Sequence, residues 1–179
     1  MIHKTNRLSL REISVEDIPN IHLLHSFSEV DQFNTLGIPK SLSETESFIL
    51  PMIQDQATDP RQRFVWLIQN DQKDFIGLVG IVLGKPKYFS AEIWYKMHPS
   101  QWNRGYASEV VEYVLSFCFN ELKLHRVCAG CAVENKASIK VLEKNGLIRE
   151  GRHRKILPIR GQWIDNYEYA ILEEDYFKN

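Results

Sequence analysis

Apolar residues along this chain follow two different periods, and the change between them predicts the order of elements. Leu8 and Leu10 alternate with polar neighbours up to Arg11, a short opening strand. Ser14, with Asp17 three residues on, starts a helix through Ile18, Ile21 and Leu24. Pro19 inside that pattern predicts a short or kinked helix. Residues 28–39 show no period. Ser41 or Ser43 caps a second helix with Glu44 and Glu46 in its first turn, Phe48, Ile49 and Ile53 on its apolar face, and Pro51 interrupting it. The pattern then changes: residues 64–68, 75–83 and 88–97 read as three strands joined by the polar turns 70–74 and 84–87. Ala107, Val110, Val111, Val114, Leu115, Cys118 and Leu122 recur at helical spacing, the clearest helix in the chain. Residues 126–133 form a strand of small side chains. Asn135 caps a helix that packs Ile139 and Leu142 and stops at Asn145 and Gly146. Residues 147–156 and 163–172 close the chain as a hairpin.

An antiparallel meander followed by one strand–helix–strand crossover makes two neighbouring strands parallel. The expected fold is therefore α/β, a mixed and mostly antiparallel sheet with helices on its faces. Residues 1–179 read as one domain, with no repeat and no linker.

The segment Trp102-Asn103-Arg104-Gly105-Tyr106-Ala107 stands between the third meander strand and the clearest helix. Strand, glycine-containing loop, helix: this order aims several backbone N–H groups and the positive end of a helix at one spot, which suits phosphate. Gly105 lets the backbone approach closely, Ala107 keeps the helix start small, and Arg104 adds charge.

Composition narrows the classes. The net charge is −1, so no general attraction to nucleic acid or anionic membrane is expected. No long apolar run suggests a membrane span, and the expected compartment is the cytoplasm. The three cysteines, Cys118, Cys128 and Cys131, read as reduced core thiols; Cys128 and Cys131 are spaced as C-x-x-C but precede a strand end, where a redox pair would open a helix. His22 and His25 lie three apart on a helix without a visible third ligand, so no metal is expected.

These residues resemble a known family. The order of elements and the glycine loop are similar to the GNAT superfamily of acetyl-CoA-dependent N-acetyltransferases. Thr5-Asn6-Arg7-Leu8-Ser9-Leu10-Arg11 resembles the opening strand of its RimJ/RimL-type branch. Ala91-Glu92-Ile93-Trp94-Tyr95, with residues 102–109, resembles the cofactor strand and loop. Asn135-Lys136-Ala137-Ser138 and residues 142–147 resemble the next motif, and residues 165–172 the closing strand. Matches run from residue 5 to 172. One departure is Trp102, where the superfamily pattern has Gln or Arg; that contact then comes from backbone or ring.

The resemblance implies acetyl-CoA as co-substrate, with its pyrophosphate on the N–H groups of residues Asn103 to Ser108. It implies that the pantetheine arm pairs like an extra strand with the end of the central strand, Tyr95, Lys96, Met97 and His98, in a gap where the sheet splays. Asn135 would bond the arm, Ser138 would lie near the sulfur, and Lys144 joins the cofactor set. For the chemistry, a backbone N–H near Met97 can hold the developing oxyanion. Ser138 can stabilise the leaving thiolate, and Glu92 stands where family members carry a general base. The acceptor is an amine, a protein N-terminal α-amine or a small molecule, framed by residues 26–39 and 154–162. Tyr167 and Tyr169 line its mouth or merely alternate across a strand. A homodimer is implied. Two other readings compete: a CoA-binding sensor without catalysis, and a nucleotide or nucleic-acid protein. Near-neutral charge and the absence of a Walker lysine–serine pair after Gly105 argue against the last.

Overall fold

A computed structural model describes residues 2–178. Eight strands form one sheet among these residues, in the order β1-β2-β3-β4-β5-β6-β8-β7. The strands are β1 (Ile2–Lys4), β2 (Leu8–Glu12), β3 (Arg63–Asn70), β4 (Phe75–Leu83), β5 (Ser90–Met97), β6 (Arg126–Ala132), β7 (Ile148–Ile159) and β8 (Gln162–Leu172). The helices are α1 (Ile18–Ser26), α2 (Ser28–Asp31), α3 (Leu42–Gln54), α4 (Tyr106–Ser116), α5 (Lys136–Lys144) and α6 (Glu173–Tyr176). All strand pairs are antiparallel except β5–β6. The mixed, mostly antiparallel sheet matches the expected fold class, but beside the expected β5–α4–β6 crossover there is a second, β6–α5–β7, with β8 inserted between its strands. Three pieces were not expected: β1, which is three residues long, and the short helices α2 and α6, of four residues each.

Local chemistry explains the element starts. Pro19 does not kink α1; it occupies the first turn, where its missing N–H costs nothing. Asp17 reaches back to the Ser14 N–H at 2.8 Å and is held by two Arg11 contacts of 2.7 and 2.6 Å. This ties the start of α1 to β2. Ser41 caps α3 by accepting from the Glu44 N–H. The helix pattern past Ser116 widens, with the Leu122 N–H donating to the Phe117 carbonyl at 3.1 Å.

Two cores cover the two faces of the sheet. On one face α4 and α5 pack Val110, Val111, Val114, Leu115 and Leu142 against Ile81, Ile93, Val127 and Tyr169. On the other, α1 and α3 pack Ile18, Ile21, Leu24 and Ile49 against Val65, Leu67 and Leu78. Alternation along β5 divides its side chains between them: Ala91, Ile93, Tyr95 and Met97 face α4 and α5, whereas Trp94 packs with the α1–α3 core. Glu92 and Lys96 share the Trp94 face.

Candidate active site

The site begins where the sheet comes apart. β5 and β6 pair over only three positions, Ser90↔Arg126, Ala91↔Val127 and Glu92↔Cys128. Both strands run on unpaired, β5 to Met97 and β6 to Ala132. The opposite edge of β5 fixes what faces this wedge. The Gly84 N–H donates to the Ser90 carbonyl at 2.8 Å and the His98 N–H to the Ile76 carbonyl at 2.9 Å. Even-numbered residues therefore bond β4, and Ile93, Tyr95 and Met97 turn their N–H and C=O groups into the wedge. Of the four residues expected to pair with a cofactor arm, Tyr95 and Met97 do face it. Lys96 and His98 direct their backbone to β4.

Beyond β5 the chain builds an anion cradle. His98 caps a turn over residues 99–101, its Nδ1 accepting from the Ser100 N–H at 3.3 Å. Asn103 and Gly105 both adopt left-handed backbone, φ +59° and +78°. Left-handed residues interleaved with ordinary ones make successive N–H groups converge. Tyr106 then opens α4, whose unpaired N–H groups and dipole face the same spot. Two clamps hold this start in place. Glu109 accepts from Thr5 Oγ1 at 2.6 Å and Arg7 Nε at 2.7 Å, and Asn145 Nδ2 donates to Ser108 Oγ at 3.1 Å. The second clamp brings the end of α5, with exposed Lys144, beside the cradle. The Trp102 ring has a use that its position in the motif did not announce: Nε1 donates to the Met97 carbonyl at 2.9 Å. It thereby ties the loop to the open end of the wedge.

Hydroxyl groups bound the α5 side of the wedge. Tyr95 OH and Ser138 Oγ lie 2.8 Å apart, joining β5 to α5. Burial pushes the Tyr95 phenol well above its ordinary range, so it stays protonated. Asn135 caps α5, its Oδ1 accepting from the Ser138 N–H at 3.1 Å, which leaves its NH2 group for other partners. Burial also raises the cysteine thiols, Cys131 to about 11 and Cys118 to about 12, and Cys128 in the same direction. Protonated thiols suit the core reading, not a nucleophile.

The opposite side of the wedge is acidic. Glu92 is the last β5 residue paired with β6 and is solvent-exposed on the open face. Partial burial of its carboxylate, and then the Glu168 charge, raise it above the usual carboxylate range. Glu168 accepts from Asn166 Nδ2 at 2.6 Å, and Asn166 is buried over Gly130, where a Cβ would meet that amide at 2.9 Å. Tyr167 and Tyr169 do not line this face. They lie on the α5 side, Tyr169 donating to Glu143 Oε1 at 2.9 Å and Tyr167 beneath the Arg149 guanidinium. Of the two readings open for these tyrosines, alternation across the strand is the one the structure has, and Asn166 and Glu168 take the Glu92 face.

The two expected loops meet through Arg160. Arg160 at the β7–β8 turn donates through Nε to Asp31 Oδ2 at 2.9 Å, closing the hairpin onto α2. Lys96 points beneath α1, with Nζ 3.5 Å from His25 Nε2. Burial lowers Lys96 to about 8 and His25 to about 3. His22 is engaged with Thr45 Oγ1 at 2.7 Å, and no cluster of three metal-ligating side chains occurs among the described residues.

Comparison with known proteins decides the family. Residues 7–148 match the acetyltransferase (GNAT) domain model. The chain belongs to the GNAT acetyltransferase family. It is 34% identical over 175 residues to the N-acetyltransferase YnaD of Bacillus subtilis (strain 168), covering 96% of this chain and 97% of that protein. A GNAT-family acetyltransferase structure from Bacillus anthracis superposes with a TM-score of 0.83 at 30% identity, covering 97% and 99% of the two chains. The spermidine N-acetyltransferase of Vibrio cholerae, solved with CoA and spermine, gives 0.84 at 26% identity, covering 96% and 98%.

This GNAT protein is thus an acetyl-CoA-dependent N-acetyltransferase, and its geometry suits that co-substrate. The cradle at Asn103–Gly105 offers convergent N–H groups to phosphates, and the wedge offers an unpaired strand edge to an amide-rich arm. An anion at such a helix start gains about 0.3–1 kcal/mol from the dipole alone, with the N–H bonds in addition. No helix among the described residues is long and apolar enough to cross a membrane.

Proposed function

We propose that this enzyme acetylates a primary amine by direct attack, with Glu92 taking the proton of the incoming amine. One observation carries the reading. Glu92 stands at the apex of the wedge, on the face opposite α4 and α5, with its carboxylate raised above the ordinary carboxylate range by burial and then by the Glu168 charge. A carboxylate so raised is a stronger base toward the amine's proton than an ordinary glutamate.

Acetyl-CoA supplies a thioester whose carbonyl receives the amine and whose thiolate leaves. The N–H groups of Asn103 to Ser108 hold the phosphates, with Trp102, Arg104 and Lys144 around them, and the edge formed by Tyr95 and Met97 orients the arm. Asn135 adds a donor through its free NH2 group. The Met97 N–H, facing the wedge, donates to the oxygen that gains charge. The Tyr95–Ser138 hydroxyl pair donates toward the sulfur; because the phenol keeps its proton, it stabilises a thiolate without competing for the base. Lys96 and His98 act indirectly, through the packing that holds the strand end.

The acceptor is a small primary amine or a protein N-terminal α-amine of the RimJ/RimL type. The Vibrio spermidine enzyme supports the small-amine half. Deprotonating a lysine-like amine rather than an α-amine at neutral pH costs roughly 3 kcal/mol more, a modest bias toward the α-amine. The reading includes one domain over residues 1–179, a homodimer and a cytoplasmic setting. A thiol-release screen with acetyl-CoA against amines and N-terminal peptides tests it. CoA release with at least one amine, matched by the acetylated product, is expected; hydrolysis alone, with no acceptor dependence, refutes it.

A further inference from the structure

The rest of the acceptor needs a place, and the sheet supplies one. Registers across three strands align Arg63↔Val82 and Val82↔Glu92 in one row. Paired residues share a face, so Arg63, Val82 and Glu92 project to the same side, with Trp94 next to Glu92 along β5. Over this row α3 leaves a groove of about 410 Å³, lined by Phe48, Met52, Val65, Val82 and Trp94, with Arg63 at its far end. That volume falls in the range of small-molecule sites.

Three features set the groove apart from ordinary surface. Phe48 and Val82 are 40% and 36% exposed, although they wall the same depression. The Trp94 indole lies where a side chain on Gly80 would be, so a glycine makes room for its ring. Arg63 has no ion-pair partner among the described residues. The nearby Asp55 carboxylate is spent on the backbone N–H groups of Gln62 and Arg63, at 3.2 and 2.6 Å. Strands lie about 4.8 Å apart, so Arg63 stands roughly 10 Å from Glu92. The acceptor face is therefore acidic at one pole, Glu92 with Glu168, apolar in the middle and basic at the other pole.

We infer that this groove between α3 and the β3–β5 face binds the non-reacting part of the acceptor, and that the acceptor is an amine with an apolar body ending in a carboxylate. The inference rests on the proposed placement of the amine at Glu92. A polyamine matches the Glu92 pole but meets apolar walls and a guanidinium further on, where its second cation is desolvated and repelled.

Hexylamine, 6-aminohexanoate and spermidine separate the possibilities, read as kcat/KM and as calorimetric binding to the CoA-loaded enzyme. We expect 6-aminohexanoate to exceed spermidine by about tenfold or more, with hexylamine between them. Arg63→Gln should lower 6-aminohexanoate about tenfold and leave hexylamine within about twofold. Val82→Asp, on an exposed position, should weaken both by about tenfold. Phe48→Ala repeats that test by removing apolar wall without adding charge. A preference for spermidine, absence of binding by both other amines, or indifference of all three to the groove variants overturns the inference. Glu92→Gln separates the two claims. If it abolishes turnover while the groove variants do nothing, only the groove assignment falls. If it leaves turnover intact, the base assignment falls and the binding titrations still judge the groove.

Discussion

The cofactor half and the acceptor half proposed for this enzyme are built from different materials. The cofactor half is mostly backbone: left-handed Asn103 and Gly105, the start of α4, and the unpaired edge of β5. The acceptor half is mostly side chains brought from distant segments: Glu92 and Lys96 from β5, Asn166 and Glu168 from β8, His25 from α1, Asp31 from α2 and Arg160 from the hairpin. In the proposed reading, backbone geometry recognises the co-substrate and side chains select the acceptor. Substitutions in the two halves should therefore separate cleanly in kinetics.

The largest separation comes from Glu92→Gln. Loss of the base should reduce kcat by about a hundredfold or more, with the acetyl-CoA dissociation constant unchanged. Steady-state kinetics with equilibrium CoA binding checks both. If kcat holds near wild type, the proton leaves by another route. Gly105→Val strikes the other half. A Cβ there has room, its nearest neighbour being Arg7 Nη2 at 3.5 Å, but φ of +78° is strained for a β-branched residue. The strain is about 1–2 kcal/mol, so acetyl-CoA should bind about tenfold more weakly while the acceptor KM stays put. A change in acceptor KM alone would blur the division.

Tyr95→Phe probes the border between the halves. It removes one hydroxyl of the Tyr95–Ser138 pair, 2.8 Å apart, and keeps the ring in its packing. A fall in kcat of about tenfold, with both binding constants little changed, is expected from the loss of one buried hydrogen-bond donor. Equal losses in binding would make the hydroxyl a structural tie only.

The same division explains what the sequence disclosed. Backbone sites leave a local signature, because the loop must follow a strand, contain glycine and open a helix, all within a few residues. The strand ending at Met97, the loop with Gly105, the start of α4 and Asn135 as a cap were therefore legible as local structure. The wedge itself was expected only by resemblance, since strand pairing between β5 and β6 is not written in either strand. Side-chain sites depend on parity and on partners far along the chain. Tyr167 and Tyr169 stand out as aromatic residues, while the positions on the Glu92 face are their neighbours Asn166 and Glu168. Nothing local shows which face of β8 follows Cys128; the Cys128↔Ala170 register decides it. Arg160 stood in a segment expected to frame the acceptor, yet its bond to Asp31 spans 129 positions. β1 escaped because three residues are too few to show a period.

Glu168→Gln gives a subtler test, since it leaves the proposed base in place. Glu168 is the second cause, after burial, of the raised Glu92 carboxylate. Neutralising it lets Glu92 ionise at lower pH, so the ascending limb of kcat/KM against pH should move downward. A limb that does not move would mean that Glu92 and Glu168 do not sense each other, or that the limb belongs to another group.

The smallest expected effect concerns stability, and it asks whether the acceptor half carries strain that the cofactor half does not. Lys96 is lowered from 10.5 to about 8, chiefly by burial, with Asp31 opposing the shift; His25 beside it is neutral, and Arg160 already pairs with Asp31. Between these two values the unfolded chain holds the Lys96 proton and the folded one does not, so the unfolded state binds more protons. Stability from this residue therefore rises as pH increases from about 8 toward 10.5, and the cost of burying the ammonium is fully present below 8. Lys96→Met should be at least as stable as wild type at pH 7 and should lack that rise. Urea midpoints of the two proteins across this range isolate the term, because every other titrating group is common to both. If wild type and variant run parallel through the window, Lys96 is charged and well solvated in the fold. The buried cation beneath α1 would then impose no cost on the acceptor half.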